Sequence, residues 1–133
     1  MMKSIPLLTA FVLTVGFSLP VLADNFDGSK PLICATVEAR DCVLGAECFT
    51  GHAKKVGAPA FFRIDFDKKV VAGTQRTSPI VSIEKNEQQI LLQGSEMEYG
   101  WTIALDQTEG DFTASMTNRD GAFLLFGSCT LLP

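Results

Sequence analysis

The chain has 133 residues, a formal net charge of −4 and 47% hydrophobic residues. This length allows one folded domain, and the excess of acidic residues argues against nucleic acid or an anionic lipid surface as a partner. The sequence contains neither a phosphate-binding glycine loop nor a dinucleotide-binding fingerprint, so a nucleotide cofactor is not expected.

Residues 1–23 have the features of a signal peptide. Lys3 precedes an apolar run from Ile5 to Leu22, and Val21-Leu22-Ala23 resembles the site that a signal peptidase reads. A run of this length could also anchor the chain in a bilayer, but Pro20 near its end and the cleavage-like site favour removal. We therefore predict export to the periplasm or out of the cell, with residues 24–133 as a single mature domain that has no membrane segment.

Four cysteines in the mature part predict two disulfides, because an even number in a short exported chain is typical of a disulfide framework. Three connectivities exist, and we favour Cys42–Cys48 together with Cys34–Cys129. The first bond would close a short loop, and the second would join the first strand to the last. Zinc is the alternative, but the Cys-x5-Cys spacing is poor for chelation and the chain has one histidine. No metal and no cofactor are expected.

Strand patterns begin soon after the signal peptide. The β-branched residues of 32–37 predict a strand, although residues 32–40 would also permit a short helix, and residues 51–59 are interpreted as a loop. Residues 70–72 predict a further short strand. Period-two alternation places the following apolar side chains of this part on the inward face: Phe62, Ile64, Phe66, Val81 and Ile83.

Residues 88–129 predict four strands in a meander. Trp101, Ile103 and Leu105 alternate with polar or small residues, and turn-forming residues occur at 93–95, 106–110 and 118–121. The strand at 122–126 is apolar on both faces, which suggests an inner strand. We therefore predict an all-β domain, a small antiparallel up-and-down meander of about seven to nine strands that closes as a barrel or barrel-like sandwich.

Residues suited to catalysis are sparse. His52 is the single histidine, and no Gly-x-Ser-x-Gly elbow is present. Asp65 and Asp67 lie two residues apart on one strand face, which would suit a hydrolase that uses paired carboxylates. However, Lys68 and Lys69 follow directly, and surface ion pairing explains the two acids more simply. We expect a non-enzyme, with a hydrolase using Asp65 and Asp67 as the alternative.

An acidic rim is the first functional hypothesis. Acidic residues outnumber basic ones strongly between residues 84 and 120, and they would either be solvated turn residues or attract a cationic protein partner such as a lysozyme-like enzyme. At the level of class, a small, acidic, exported, disulfide-linked β domain is similar to bacterial periplasmic lysozyme inhibitors and to lipocalin-like carriers. The candidate rim residues are Glu96, Glu98, Asp106, Glu109, Asp111 and Asp120.

A carrier for a small apolar ligand is the second hypothesis. An eight-stranded barrel has an interior that is either just filled or holds one small molecule. A tryptophan in a small β protein usually belongs to the core, but an open interior would make the same side chain part of a cavity. The expected cavity residues are Phe62, Phe66, Trp101, Phe112 and Met116. On either hypothesis we expect a monomer.

Overall fold

The computed structural model describes residue 2, residues 13–18 and residues 25–133. Most of the predicted signal peptide, including the expected cleavage site after Ala23, lies outside the described residues. Among the residues that are described, none belongs to a helix long and apolar enough to cross a membrane.

The described residues form nine strands and one short helix. In chain order these are β1 (Leu32–Val43), β2 (Phe49–Gly51), α1 (Ala53–Val56), β3 (Phe61–Asp65), β4 (Val70–Ala72), β5 (Thr77–Lys85), β6 (Gln89–Glu96), β7 (Tyr99–Asp106), β8 (Asp111–Asn118) and β9 (Gly121–Leu131).

The strands form a closed antiparallel barrel. Strands β3 to β9 each pair with the next in sequence, and β1 closes the barrel by pairing with β3 on one side and β9 on the other. The β1–β9 pairing extends from Leu32 opposite Leu131 to Val43 opposite Gly121. Strand β2 is additional, pairing with the second half of β1 at residues 39–41. The prediction of an all-β, up-and-down barrel is confirmed, with eight strands in the barrel and one outside it.

Alternating side chains of the barrel strands fill its interior. Because successive residues of a strand point to opposite faces, one set of each strand packs inward. The largest fully buried side chains are aliphatic and lie on five different strands: Leu32, Ile64, Ile90, Leu92, Leu105 and Leu125. On the outer face of β9, Ala122, Leu124 and Phe126 are half-buried, and the Arg40 guanidinium lies 5.7 Å from the centroid of the Phe126 ring.

The prediction that Val81 faces the core is wrong, whereas Ile83 does point to the interior face but is only partly buried. The register between β5 and β6 shifts between Ile80 and Ser82, so Val81 is a bulge residue and is 77% exposed. Ile83 lies opposite the buried Leu92 but is itself 39% exposed. Strand β4 pairs only with residues 77–79 of β5, so no strand covers the other side of Ile83.

The predicted turn at residues 93–95 is also wrong, because β6 continues through these residues to Glu96. The turn lies at Met97 and Glu98, which both have positive φ angles, of 45° and 69°. Gly94 serves a different purpose. A Cβ atom there would overlap the Trp101 ring and lie 2.6 Å from the Pro79 carbonyl oxygen, so this position has no room for a side chain.

Two uncertain segments of the first half are resolved by the structure. Residues 32–40 are strand rather than helix, as part of β1. Residues 51–59 contain one helical turn, α1, where the sequence suggested only a loop; its C-cap is Gly57 in the left-handed region, with φ of 76°. Ala53 and Ala58 are buried against the core, which fixes this helix to the barrel.

Both predicted disulfides are present, Cys34–Cys129 and Cys42–Cys48. The first joins β1 to β9 at a position where the two residues are direct register partners, and both are buried. Two disulfides in so small a domain indicate that it folds in an oxidising compartment.

The two ends of the barrel differ. The end that carries the β4–β5, β6–β7 and β8–β9 connections, together with α1, is called the open end. The opposite end is called the closed end, because residues 25–31 lie across it. Phe26 is buried there against Gly110, and Lys85 Nζ donates a 2.8 Å hydrogen bond to the Asp27 carbonyl oxygen.

Candidate functional site

The open end of the barrel contains a cavity of about 690 Å³. At the volume that a water molecule occupies in the liquid, this is room for about 20 waters. Ligand pockets for small organic molecules have volumes of about 300 to 1,000 Å³. The cavity therefore has the size of a small-molecule site.

Aromatic and sulfur-containing side chains form much of the cavity wall. Phe62 comes from β3, Tyr99 and Trp101 from β7, Met116 from β8 and Phe123 from β9. The Tyr99 and Phe123 rings pack in a tilted arrangement with centroids 6.0 Å apart. Such a wall suits an apolar ligand, because aromatic rings offer a large contact area at a low cost in conformational entropy.

The Trp101 ring is held in one orientation. Its Nε1 donates a 2.8 Å hydrogen bond to Ser78 Oγ, which in turn donates to the Ser95 carbonyl oxygen at 3.2 Å. The ring lies over Gly94 of the neighbouring strand. Trp101 therefore connects β7, β6 and β5, and it presents a fixed apolar surface to the cavity.

Polar side chains are concentrated at the mouth of the cavity. Lys54 of α1 and the polar residues Thr74, Gln75 and Arg76 of the β4–β5 connection line one side, and Glu96 comes from the end of β6. Within residues 25–133, the ion pairs are Arg40–Glu38 and Arg119–Asp120, so neither Lys54 nor Arg76 is paired with a carboxylate there. An apolar interior with a polar mouth is the usual composition of a small-molecule site.

The structure separates the five residues that the sequence suggested for a cavity. Phe62, Trp101 and Met116 line the cavity. Phe112 instead packs below it, edge-to-face against Phe62 with ring centroids 5.1 Å apart. Phe66 lies at the closed end beside Gly28. These two belong to the packed part of the interior.

The six candidate rim residues are divided between the two ends of the barrel. Glu96, Glu98 and Asp120 lie at the open end, in or beside the β6–β7 and β8–β9 connections. The other three surround the β7–β8 connection at the closed end: Asp106, Glu109 and Asp111. The structure therefore does not bring the six carboxylates together on one surface.

Two carboxylates at the closed end are hydrogen-bonded within the protein. Asp106 Oδ1 accepts hydrogen bonds from the backbone N–H groups of Thr108 and Glu109, at 2.7 and 2.8 Å. These bonds, that from Glu109 first, hold the pKa of Asp106 below its ordinary value. Asp111 Oδ1 accepts from Ser128 Oγ at 2.6 Å. Both groups hold the local structure of a turn or strand pair.

The residues weighed for catalysis do not converge. Asp65 is the last residue of β3 and Asp67 lies in the β3–β4 connection at the closed end, where Asp65 Oδ1 accepts a 2.9 Å hydrogen bond from the Lys68 N–H. His52 is the exposed N-cap residue of α1. None of the three lines the cavity. Across the part of the chain that the structure describes, no three histidine, cysteine or acidic side chains are grouped as metal ligands.

Sequence reasoning missed several cavity residues. Tyr99 stands two positions before Trp101, so period-two alternation alone places both on one face and would have identified it. Lys54, Gln75 and Arg76 carry no such signal, because they lie in α1 and a connection whose positions depend on the closure of the barrel.

No protein-family model, curated protein or solved structure matches this chain. The geometry of the cavity is therefore the basis for assigning a function.

Proposed function

We propose that this protein is a non-enzymatic binding protein that carries a small, largely apolar molecule in the open end of its barrel. The observation that carries the proposal is the cavity of about 690 Å³, whose wall includes Phe62, Trp101, Met116 and Phe123. A barrel interior built only for stability would be filled to the density of a protein core, since voids larger than a water molecule cost stability.

The two halves of the barrel differ in packing, and this difference supports the proposed function. The closed half is packed with aliphatic side chains and covered by residues 25–31, whereas in the open half Tyr99, Met116 and Phe123 of the cavity wall remain partly exposed. A rigid closed half gives the cavity a fixed shape, and a preformed cavity binds with a smaller loss of conformational entropy. We further propose that the protein acts in the periplasm or outside the cell, as a monomer.

A cationic protein partner is the less supported alternative. The carboxylates that would attract it lie at opposite ends of the barrel, and Asp106 and Asp111 are engaged in hydrogen bonds within the domain. Hydrolysis by Asp65 and Asp67 is supported still less, because these residues lie at the end opposite the cavity.

Binding of a neutral apolar dye tests the proposal. Trp101 is the single tryptophan of the chain and lines the cavity, so its fluorescence reports directly on occupancy. We expect Nile red to bind with saturable quenching of Trp101. We expect Ala114→Phe to weaken this binding at least tenfold, because Ala114 lines the cavity and a phenyl ring there fills it.

Ala104→Phe is the matched control. Ala104 lies on β7 between the buried residues Ile103 and Leu105, so its side chain points outward and does not line the cavity. The control should bind the dye as the wild-type protein does. No saturable binding to the wild-type protein, or equal binding by the Ala114→Phe variant when circular dichroism shows it folded, would refute the proposed function.

A further inference from the structure

We infer that the ligand is an amphipathic anion, an apolar body with a carboxylate head, whose head group lies against Lys54 and Arg76 while its apolar part lies along Trp101. This inference rests on the proposed function and specifies the chemistry of the ligand. Both cationic residues line the cavity, and they mark the side of its mouth at which a negative charge would be stabilised.

The two cations line the same cavity although they are 22 positions apart in the chain. Lys54 belongs to α1, which residues 57–60 connect to β3, and Arg76 belongs to the connection that follows β4. Because β3 and β4 are neighbouring antiparallel strands, the start of β3 and the end of β4 meet at the same edge of the barrel. Lys54 and Arg76 therefore approach the mouth from neighbouring segments.

Neutral hydrogen-bonding groups accompany the cations. Thr74 and Gln75 line the cavity from the same connection as Arg76. A carboxylate has about four acceptor sites, which two cations and the hydroxyl and amide donors beside them can occupy. Hydrogen bonds that involve a charged group are about twice as strong as neutral ones.

Neither cation is neutralised within residues 25–133, where the ion pairs join Arg40 to Glu38 and Arg119 to Asp120. The one carboxylate that lines the cavity is that of Glu96, at the end of β6. Ile80 of β5 pairs with Gly94 of β6, so the end of β6 that carries Glu96 lies beside the start of β5, near the connection that contains Arg76, but no ion pair joins these two side chains. The lining as a whole carries two positive charges against one negative charge, although the protein is acidic overall.

Three ten-carbon probes that differ only in the head group test the inference: decanoate, decanol and decylammonium. Calorimetric titration of the mature protein should give the tightest binding for decanoate. Lys54→Gln and Arg76→Gln should each weaken decanoate binding by about fivefold, in the range of a single exposed ion pair, and leave decanol binding unchanged. Added salt should weaken the binding of decanoate but not of decanol.

Lys55→Gln is the matched control, since Lys55 is the neighbouring lysine of α1 and does not line the cavity; it should bind decanoate as the wild-type protein does. Glu96→Gln should not weaken decanoate binding. Decanol or decylammonium binding as tightly as decanoate, or equal losses in Lys55→Gln and Lys54→Gln, would overturn the inference and leave the carrier function standing. If Nile red and all three probes fail to bind the wild-type protein, the proposed function itself fails.

Discussion

Gly94 shows how one residue position can control the cavity wall. The Trp101 ring lies over Gly94, and a Cβ atom there would also approach the Pro79 carbonyl oxygen to 2.6 Å. We expect Gly94→Ala to lower the free energy of unfolding by about 1 to 3 kcal/mol, the usual cost of overpacking. Because the ring must shift away from Ser78, the fluorescence maximum of Trp101 should move as well. Chemical denaturation followed by fluorescence measures both effects.

Gly100→Ala is the control for this prediction. Gly100 lies on β7 next to Trp101, and a Cβ atom there would meet no heavy atom within 4 Å. The substitution should leave the fluorescence maximum unchanged and should not lower stability. Equal losses in the two variants would mean that the contact with Trp101 is not the reason for glycine at position 94.

The sequence predicted correctly that some side chains face inward, and it failed for others. Alternation identified Phe62, Trp101 and Met116 as inward-facing, because period two depends only on local backbone geometry. It failed at Val81, where a bulge in β5 changes the phase of the alternation. A bulge depends on the pairing of two strands and leaves no reliable mark in either strand alone.

The β6–β7 hairpin is the element whose sequence agrees least with its geometry. Met97 and Glu98 both adopt positive φ angles, which a type I′ turn requires and which Asn-Gly adopts at much lower cost. We expect Met97→Asn combined with Glu98→Gly to raise the free energy of unfolding by about 1 to 2 kcal/mol. The left-handed conformation costs a non-glycine residue about 1 to 2 kcal/mol, which the replacements relieve. The conformational entropy that glycine loses on folding offsets part of this gain. Urea denaturation measures the change.

Introducing the same two residues, Asn followed by Gly, at the β8–β9 turn is the control for this prediction. Neither Arg119 nor Asp120 has a positive φ angle, so Arg119→Asn with Asp120→Gly should give no comparable gain. If both replacements stabilise the protein equally, backbone strain at Met97 and Glu98 is not the cause.

The wrong prediction of a turn at residues 93–95 has a physical explanation. Gly94 is a strong turn signal in sequence, whereas Met97-Glu98 is a weak one. Glycine is needed at position 94 for close packing against Trp101, and a packing requirement of this kind becomes visible only when the neighbouring strand is in place. The other two predicted turns of the meander, with their aspartate, asparagine and glycine residues, coincide with the actual β7–β8 and β8–β9 connections.

For the whole molecule, the two disulfides should contribute unequally to stability. Cys34 and Cys129 are 95 positions apart, whereas Cys42 and Cys48 are 6 apart. On the loop-entropy argument, replacing the first pair by alanine should lower the free energy of unfolding by about 4 to 5 kcal/mol, and replacing the second by about 2 kcal/mol. Thermal unfolding of the two double variants measures the difference.

An equal loss in the two double variants, or a larger loss for the short loop, would contradict this ranking. The two disulfides should also differ in how easily they are reduced. Cys34 and Cys129 are buried, whereas Cys48 is exposed, so a mild reductant should open the short loop first. Mass spectrometry after alkylation distinguishes the two bonds.

The pairing of β1 with β9 also determines when the domain can fold. Eleven residue pairs join these strands, from Leu32 with Leu131 to Val43 with Gly121, so the sheet cannot close until nearly the whole domain has been synthesised. Contacts between distant parts of a chain form slowly, because the loop between them must be closed first. Synthesis of β1 is therefore followed by a delay before its principal partner is available. During this delay the barrel stays open along one seam, and Cys34 cannot yet form its disulfide with Cys129.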